Sequence, residues 1–109
     1  MNWIKLENIE QLNHLTTASS VRPQIIFKHS TRCSISGMIF HRLDKEETPA
    51  NADFYYLDLL AHRDISNKIA EDFHVTHQSP QILIIKNGKC VYNESHHAIM
   101  MDEIIEHLN

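Results

Sequence analysis

Glycine and proline are scarce in this 109-residue chain, which holds two of the first and three of the second. That scarcity excludes long flexible linkers and calls for tightly connected elements. No internal repeat or low-complexity tract is present, and only the polar run Asp44–Asp53, which holds Pro49, has the composition of a longer loop. No apolar run approaches the ~20 residues that a membrane span needs. The opening MNWIKLENIE mixes charged and apolar residues too closely for a secretory leader. A basic excess is missing as well: ten Lys plus Arg face fourteen Asp plus Glu, giving a formal charge of −4. A nucleic-acid binder needs a basic footprint to neutralise phosphates, so that class is disfavoured. Cys33 and Cys90 are the two cysteines, too few and too separated for a disulfide scaffold. The expectation is one domain over residues 1–109, cytoplasmic, with no membrane and no nucleic-acid partner.

What is present has the balance of a folded protein, with 42% hydrophobic and 22% charged residues. Trp3–Leu6 alternates apolar and polar residues and predicts a short first strand. From Asn8 to Ser20, Ile9, Leu12 and Leu15 recur at helical spacing. QIIFK (Gln24–Lys28), just after Pro23, reads as a buried strand. Ile35, Met38, Ile39 and Leu43 then fall on one face of a helix running to about Lys45. FYYLDL (Phe54–Leu59) predicts a third strand, and Asp64 is placed to cap a helix whose Ile65, Ile69 and Phe73 share a face. Gln81–Lys86 and Lys89–Tyr92 flank Asn87-Gly88, a strong short-range hairpin signal. Met101, Ile104, Ile105 and Leu108 give a closing helix its apolar stripe. The order β-α-β-α-β-α-β-β-α predicts the α/β class, with one mixed sheet covered by helices on both faces.

KHSTRCSIS (Lys28–Ser36) is the most informative segment, because it sets Cys33 just after a buried strand and at the first turn of a helix. Free backbone N–H groups at a helix start, and the positive end of its dipole, favour a thiolate. Arg32 beside it and His29 four residues earlier are expected to add positive charge. A thiolate is the nucleophile of thiol–disulfide exchange, so the placement suits that reaction. A small buried cysteine with no chemistry is the plainer alternative. Ser36 stands where a C-x-x-C motif would have its second cysteine, so no intramolecular disulfide can resolve an adduct there. Its hydroxyl either bonds the thiolate or caps the helix.

The element order, the cysteine at the start of the second helix, and Ser79-Pro80 just before QILIIK resemble the thioredoxin fold. In that fold the X-Pro bond at this point is cis and faces the active cysteine. KHSTRCSIS, YYLDLLAHRDISNKIAEDFHV, HQSPQILIIKNGK and the SHH before the last helix together resemble the YtxJ family, the monothiol bacilliredoxins, over nearly the whole chain. The resemblance implies reduction of mixed disulfides between proteins and bacillithiol, a low-molecular-weight thiol. S-thiolated proteins and that thiol would be the partners, with the thiol as co-substrate and no bound cofactor. By the same resemblance Cys33 is the attacking residue and Pro80 faces it; from their positions, Ser36 and Arg32 are expected to assist it. Ser34, Ile35, Ser79 and His29 are expected to border the substrate. The family pattern commonly has Thr-Cys-Pro-Ile-Ser, whereas this chain has Arg32-Cys33-Ser34-Ile35-Ser36. Ser34 should leave the helix intact, since proline at a first-turn position is only one of several tolerated residues, but it removes rigidity and adds a hydroxyl near the sulfur.

Two further readings compete with this one. One is a non-enzymatic thioredoxin-like module that binds a partner, or senses redox state, through the same edge. The other is iron–sulfur carriage by Cys33 from two chains, for which no added ligand is evident. Nine histidines invite a metal reading, but His74 and His77 lie where helix gives way to loop, and His96-His97 are adjacent. No zinc-ligand spacing anchors a site, so none is expected. His77, near Pro80, is the histidine expected to approach the active edge. Cys90, on the second hairpin strand, is expected to lie well away from Cys33 and to serve as a packing residue.

Overall fold

Apolar strands stack into one five-stranded sheet of order β1-β3-β2-β4-β5 in the computed structural model, which describes residues 1–108. The elements are β1 (Trp3–Lys5), α1 (Ile9–Ala18), β2 (Gln24–His29), α2 (Ser34–Asp44), β3 (Asp53–Asp58), α3 (Arg63–Asp72), β4 (Gln81–Lys86), β5 (Lys89–Ser95) and α4 (Met101–Glu106). A short 3-10 turn, His96–Ala98, joins β5 to α4. β1, β3 and β2 run parallel, while β4 and β5 are antiparallel additions. The expected α/β order and the helices on both faces are therefore realised.

β2 lies at the centre of the sheet, and all six of its residues are buried. Successive side chains point to opposite faces. Ile25 and Phe27 enter one core with Ile39 and Leu43 of α2 and Ile104 of α4. Ile26 enters the other with Leu12 and Leu15 of α1 and Ile65 and Ile69 of α3. A strand covered on both faces needs this continuous run of apolar residues, which is why QIIFK does not alternate. The β4–β5 hairpin turns on Asn87 at φ 52° and Gly88 at φ 74°. Two successive positive φ values make the turn whose twist suits a two-residue hairpin, and glycine adopts it at no steric cost.

Four local expectations need correction. The buried face of α2 is Ser36, Ile39 and Leu43, while Ile35 and Met38 are 38% and 50% exposed. Helical periodicity alone offers two adjacent stripes, and the serine disguised the buried one. His62, not Asp64, is the residue flanking the start of α3, and it makes no side-chain capping bond. Asp64 sits in the first turn instead, where a carboxylate favours the helix dipole. In the last helix Met101, Ile104 and Leu108 face inward, but Ile105 is 45% exposed. β5 continues three residues past the expected end at Tyr92, to Ser95, because its ladder to β4 persists as far as Gln81 opposite Ser95.

Replacing Ile84, which is fully buried in β4, by alanine should lower the unfolding free energy by about 2–5 kcal/mol. Val91→Ala, at a position 51% exposed, should change it by about 0.5 kcal/mol or less. Urea denaturation of the two variants checks the contrast.

Candidate active site

β2 ends at His29, and the chain turns through Ser30–Arg32 before α2 begins. The Cys33 N–H donates to the Ser30 carbonyl at 3.2 Å, which closes the turn. The Cys33 carbonyl accepts from the Gly37 N–H at 3.0 Å, which opens the helix. Cys33 is thus the N-cap residue of α2, extended at φ −103° and ψ 121°, and half-buried. An N-cap oxygen ordinarily accepts from the amides two and three residues on, here Ile35 and Ser36. The cysteine puts a sulfur in that place and makes no side-chain capping bond. Its sulfur stands at the end of a helix where negative charge is favoured.

Ser36, fully buried in the first turn, does neither of the two things its position suggested. Its Oγ lies 2.7 Å from His29 Nδ1 and accepts the Ser30 N–H at 3.0 Å. One hydroxyl therefore pins the last residue of the strand, the first of the loop and the first turn of the helix together. That clamp sets the position of the intervening Cys33. His29 itself is 6% exposed. Its ring lies 5.3 Å from Phe40 and 5.5 Å from Tyr56, centroid to centroid. Burial lowers its pKa from the usual 6.5, with the His41 charge in the same direction and Asp58 and the Ser36 bond opposing. The imidazole is therefore neutral at pH 7, and the expected positive charge from His29 gives way to a hydrogen-bonding support beneath the loop.

Arg32, Ser34, Ile35 and Met38 lie on the exposed side of the loop and helix start. Across the sheet end the Ser79–Pro80 peptide is cis. The pairing of Lys28 with Gln81 brings Pro80, one residue further on, to the end of the sheet where β2 gives way to the Cys33 loop. Pro80 is buried and its carbonyl accepts from the His96 N–H at 3.0 Å. Ser79 is half-buried, and its hydroxyl oxygen has no hydrogen-bond partner. Cys90 is remote: it pairs with Ile85, which in the next ladder lies opposite Gln24, the first residue of β2 and the end away from Cys33. Its thiol donates to the Tyr92 carbonyl at 3.3 Å, and burial pushes its pKa up.

Among the described residues no group of three or more His, Cys, Asp or Glu side chains could hold a metal. A groove of about 490 Å³ opens elsewhere, between Trp3, Phe40 and Tyr56 with Lys5 and His62 at its rim, and the Cys33 loop does not line it. The residue the sequence reading missed is Lys28. It is fully buried, with Nζ 3.1 Å from His77 Nδ1, and burial pushes its pKa down to about 8. A lysine inside a strand read as buried was the available signal.

Ser36→Ala should remove about 1–3 kcal/mol of stability, because it leaves the buried His29 nitrogen and the half-buried Ser30 N–H without their partner. For wild type, His29 stays neutral in the fold at pH values where the unfolded chain already takes up a proton. Its contribution is present above about pH 6.5 and is lost as the pH falls toward its lower folded value. Denaturation midpoints measured between pH 7.5 and pH 5 should fall accordingly, and a flat profile would contradict this assignment.

The chain matches the family model of the monothiol bacilliredoxin BrxC over residues 4–104. Its fold is similar to that of a structure described as a thioredoxin-fold protein of proposed oxidoreductase activity. That match has a TM-score of 0.82 and 31% identity, covering 94% of this chain and 90% of the other. Thioredoxin (Mala s 13) from Malassezia sympodialis aligns with a TM-score of 0.77 at 17% identity, over 98% of this chain and 88% of that one. Oxidised mitochondrial thioredoxin 3 from Saccharomyces cerevisiae gives 0.73 at 19%, over 97% and 92%. The thioredoxin-like fold is thereby established, and with the family it assigns the protein a thiol–disulfide redox role. No helix among the described residues is long and apolar enough to cross a membrane. With Cys33 at the head of α2 and serine in place of a resolving cysteine, this chain belongs to the monothiol bacilliredoxin family.

Proposed function

We propose that the protein, acting as one domain, reduces mixed disulfides between proteins and a bacillithiol-type small thiol, with Cys33 as the only reacting residue of the chain. The observation that carries this reading is the N-cap position of Cys33, whose sulfur heads α2 with no capping bond to occupy it. In the first step the Cys33 thiolate attacks the small thiol's sulfur in the mixed disulfide. The protein–sulfur bond breaks, the substrate protein leaves as its thiolate, and the small thiol is now disulfide-bonded to Cys33. A second molecule of the small thiol, as thiolate, attacks that sulfur, leaves as the symmetrical disulfide and returns the Cys33 thiolate. The net reaction converts the mixed disulfide and one free small thiolate into the protein thiolate and the symmetrical small-thiol disulfide, Cys33 is regenerated, and no bound cofactor is needed.

Arg32 contributes a fixed positive charge next to the reacting sulfur, while Ser36 acts through His29 and Ser30 by holding the loop. Ser34, Ile35, Ser79 and Pro80 border the space that the substrate's disulfide enters. The exposed Ile35 and Met38 add an apolar rim on the helix side. Two free cysteines suit a reducing compartment, which favours the cytoplasm.

Mixing reduced protein with the disulfide of bacillithiol, and separately with that of glutathione, followed by intact-mass analysis, tests this reading. The expected result is a single adduct on Cys33 from bacillithiol disulfide, removed by excess free thiol. Cys33→Ser should lower exchange at least about a thousandfold. An adduct formed only with glutathione keeps the chemistry and overturns the choice of thiol. No adduct with either would leave a partner-binding module as the better description.

A further inference from the structure

Between α3 and β4 the chain crosses the end of the sheet through Thr76–Ser79, the loop that delivers Pro80 to the Cys33 side. Buried polar side chains hold this loop from beneath. Gln81 of β4, 1% exposed, grips it at two points: its Nε2 donates to the Thr76 carbonyl at 3.1 Å, and its Oε1 accepts from the Gln78 N–H at 3.4 Å. Lys28, the register partner of Gln81 on β2, has Nζ 3.1 Å from His77 Nδ1. Ser66 of α3 places its Oγ 3.5 Å from the same nitrogen. Among the described residues neither Lys28 nor His77 forms an ion pair with a carboxylate. A fully buried ammonium without a counter-ion opposes folding, so the core gains nothing from a lysine at this position. Its hydrogen bond reaches only the loop.

We propose that Lys28, Gln81 and His77 are positioning residues that strap Thr76–Ser79 to the sheet and so hold Pro80 beside Cys33 for substrate docking, and that a proton on His77 undoes the strap. This rests on Cys33 being the exchanging thiol. An ammonium group only donates, so Nδ1 of His77 must accept, which requires a neutral ring with its proton on Nε2. A protonated ring has two donors and no acceptor, and the contact becomes donor against donor and cation against cation. The groups facing the pair complete the electrostatics. Arg63 of α3 is a further cation that opposes a proton on His77. Ser66 of α3, Leu57 of β3 and Gln81 of β4 are uncharged, and α1 turns Leu12 and Leu15 to this face. Burial, then Lys28, then Arg63 lower the His77 pKa from the usual 6.5. The strap is accordingly closed at neutral pH and opens in acid.

Two variants at the exposed His77 test this without disturbing the core. The readouts are amide-exchange protection factors for residues 76–79 and the KM–kcat split for reduction of a peptide carrying a small-thiol mixed disulfide, both followed from pH 7.5 to pH 5. His77→Ala should lower protection of the Gln78 amide about tenfold and raise KM by a similar factor with kcat little changed, the loss of one charge-assisted hydrogen bond. In His77→Asn the Oδ1 replaces Nδ1 as acceptor but does not titrate. It should keep wild-type protection and KM at neutral pH and lose the acid limb that wild type shows in both. Equal protection in wild type and His77→Ala, or an acid limb that persists in His77→Asn, would overturn the proposal. If no form of the protein exchanges thiols, the role of Cys33 fails, and the protection factors alone still decide for or against the strap.

Discussion

A strand buried on both faces must give way, within four residues, to a helix that begins at the surface. The Ser36 hydroxyl makes that change of environment possible here. It takes up the amide of the half-buried Ser30, the first residue of the loop, and joins it to the buried imidazole at the strand's end. An unmade bond at such a place costs more than a made one contributes. The clamp therefore acts chiefly by excluding alternative paths for the loop. With both ends of the loop tied to one oxygen, the backbone of Cys33 has little freedom, and the helix start that supports its sulfur is fixed with it.

The imidazole that completes the clamp depends in turn on residues far away in sequence. Phe40 from α2 and Tyr56 from β3 enclose the His29 ring, and Trp3 from β1 packs at a tilt against the same Phe40. This aromatic group is what removes the ring from water and keeps it neutral. It also connects the edge strand to the Cys33 loop through packed side chains. On the opposite face the polar contacts of Lys28, Ser66 and Gln81 occupy the corresponding place. Cys33 and Pro80 thus sit at one end of the sheet with an aromatic support under one and a polar support under the other.

Much of this was legible in the sequence, and the exceptions have physical causes. The hairpin at Asn87-Gly88 and the succession of strands and helices depend on local chemistry, which short spacings report well. The position of Cys33 followed from the same signals, since it needed only the end of one element and the start of the next. The buried stripe of α2 was misread because Ile35 and Met38 are more apolar than Ser36, and no periodicity distinguishes a hydroxyl that has partners from one in water. The neutrality of His29 and the burial of Lys28 depend on side chains contributed by distant segments, so single positions carried no trace of them. Lys28 could have been suspected from its place in QIIFK, although its partner His77, 49 residues away, could not.

The register that separates the two cysteines has a kinetic consequence. With Cys90 at the far end of the sheet and its thiol engaged with the Tyr92 carbonyl, a disulfide formed on Cys33 has no thiol within the same chain to expel it. On the proposed cycle the second half of every turnover is then bimolecular, and its rate is first order in the free thiol that surrounds the molecule. A dithiol protein of this fold carries its resolving group at a fixed effective concentration. With Cys33 as the exchanging thiol of that cycle, the resolving group comes from solution, and the fraction of molecules waiting as the mixed disulfide follows the size of the reduced thiol pool.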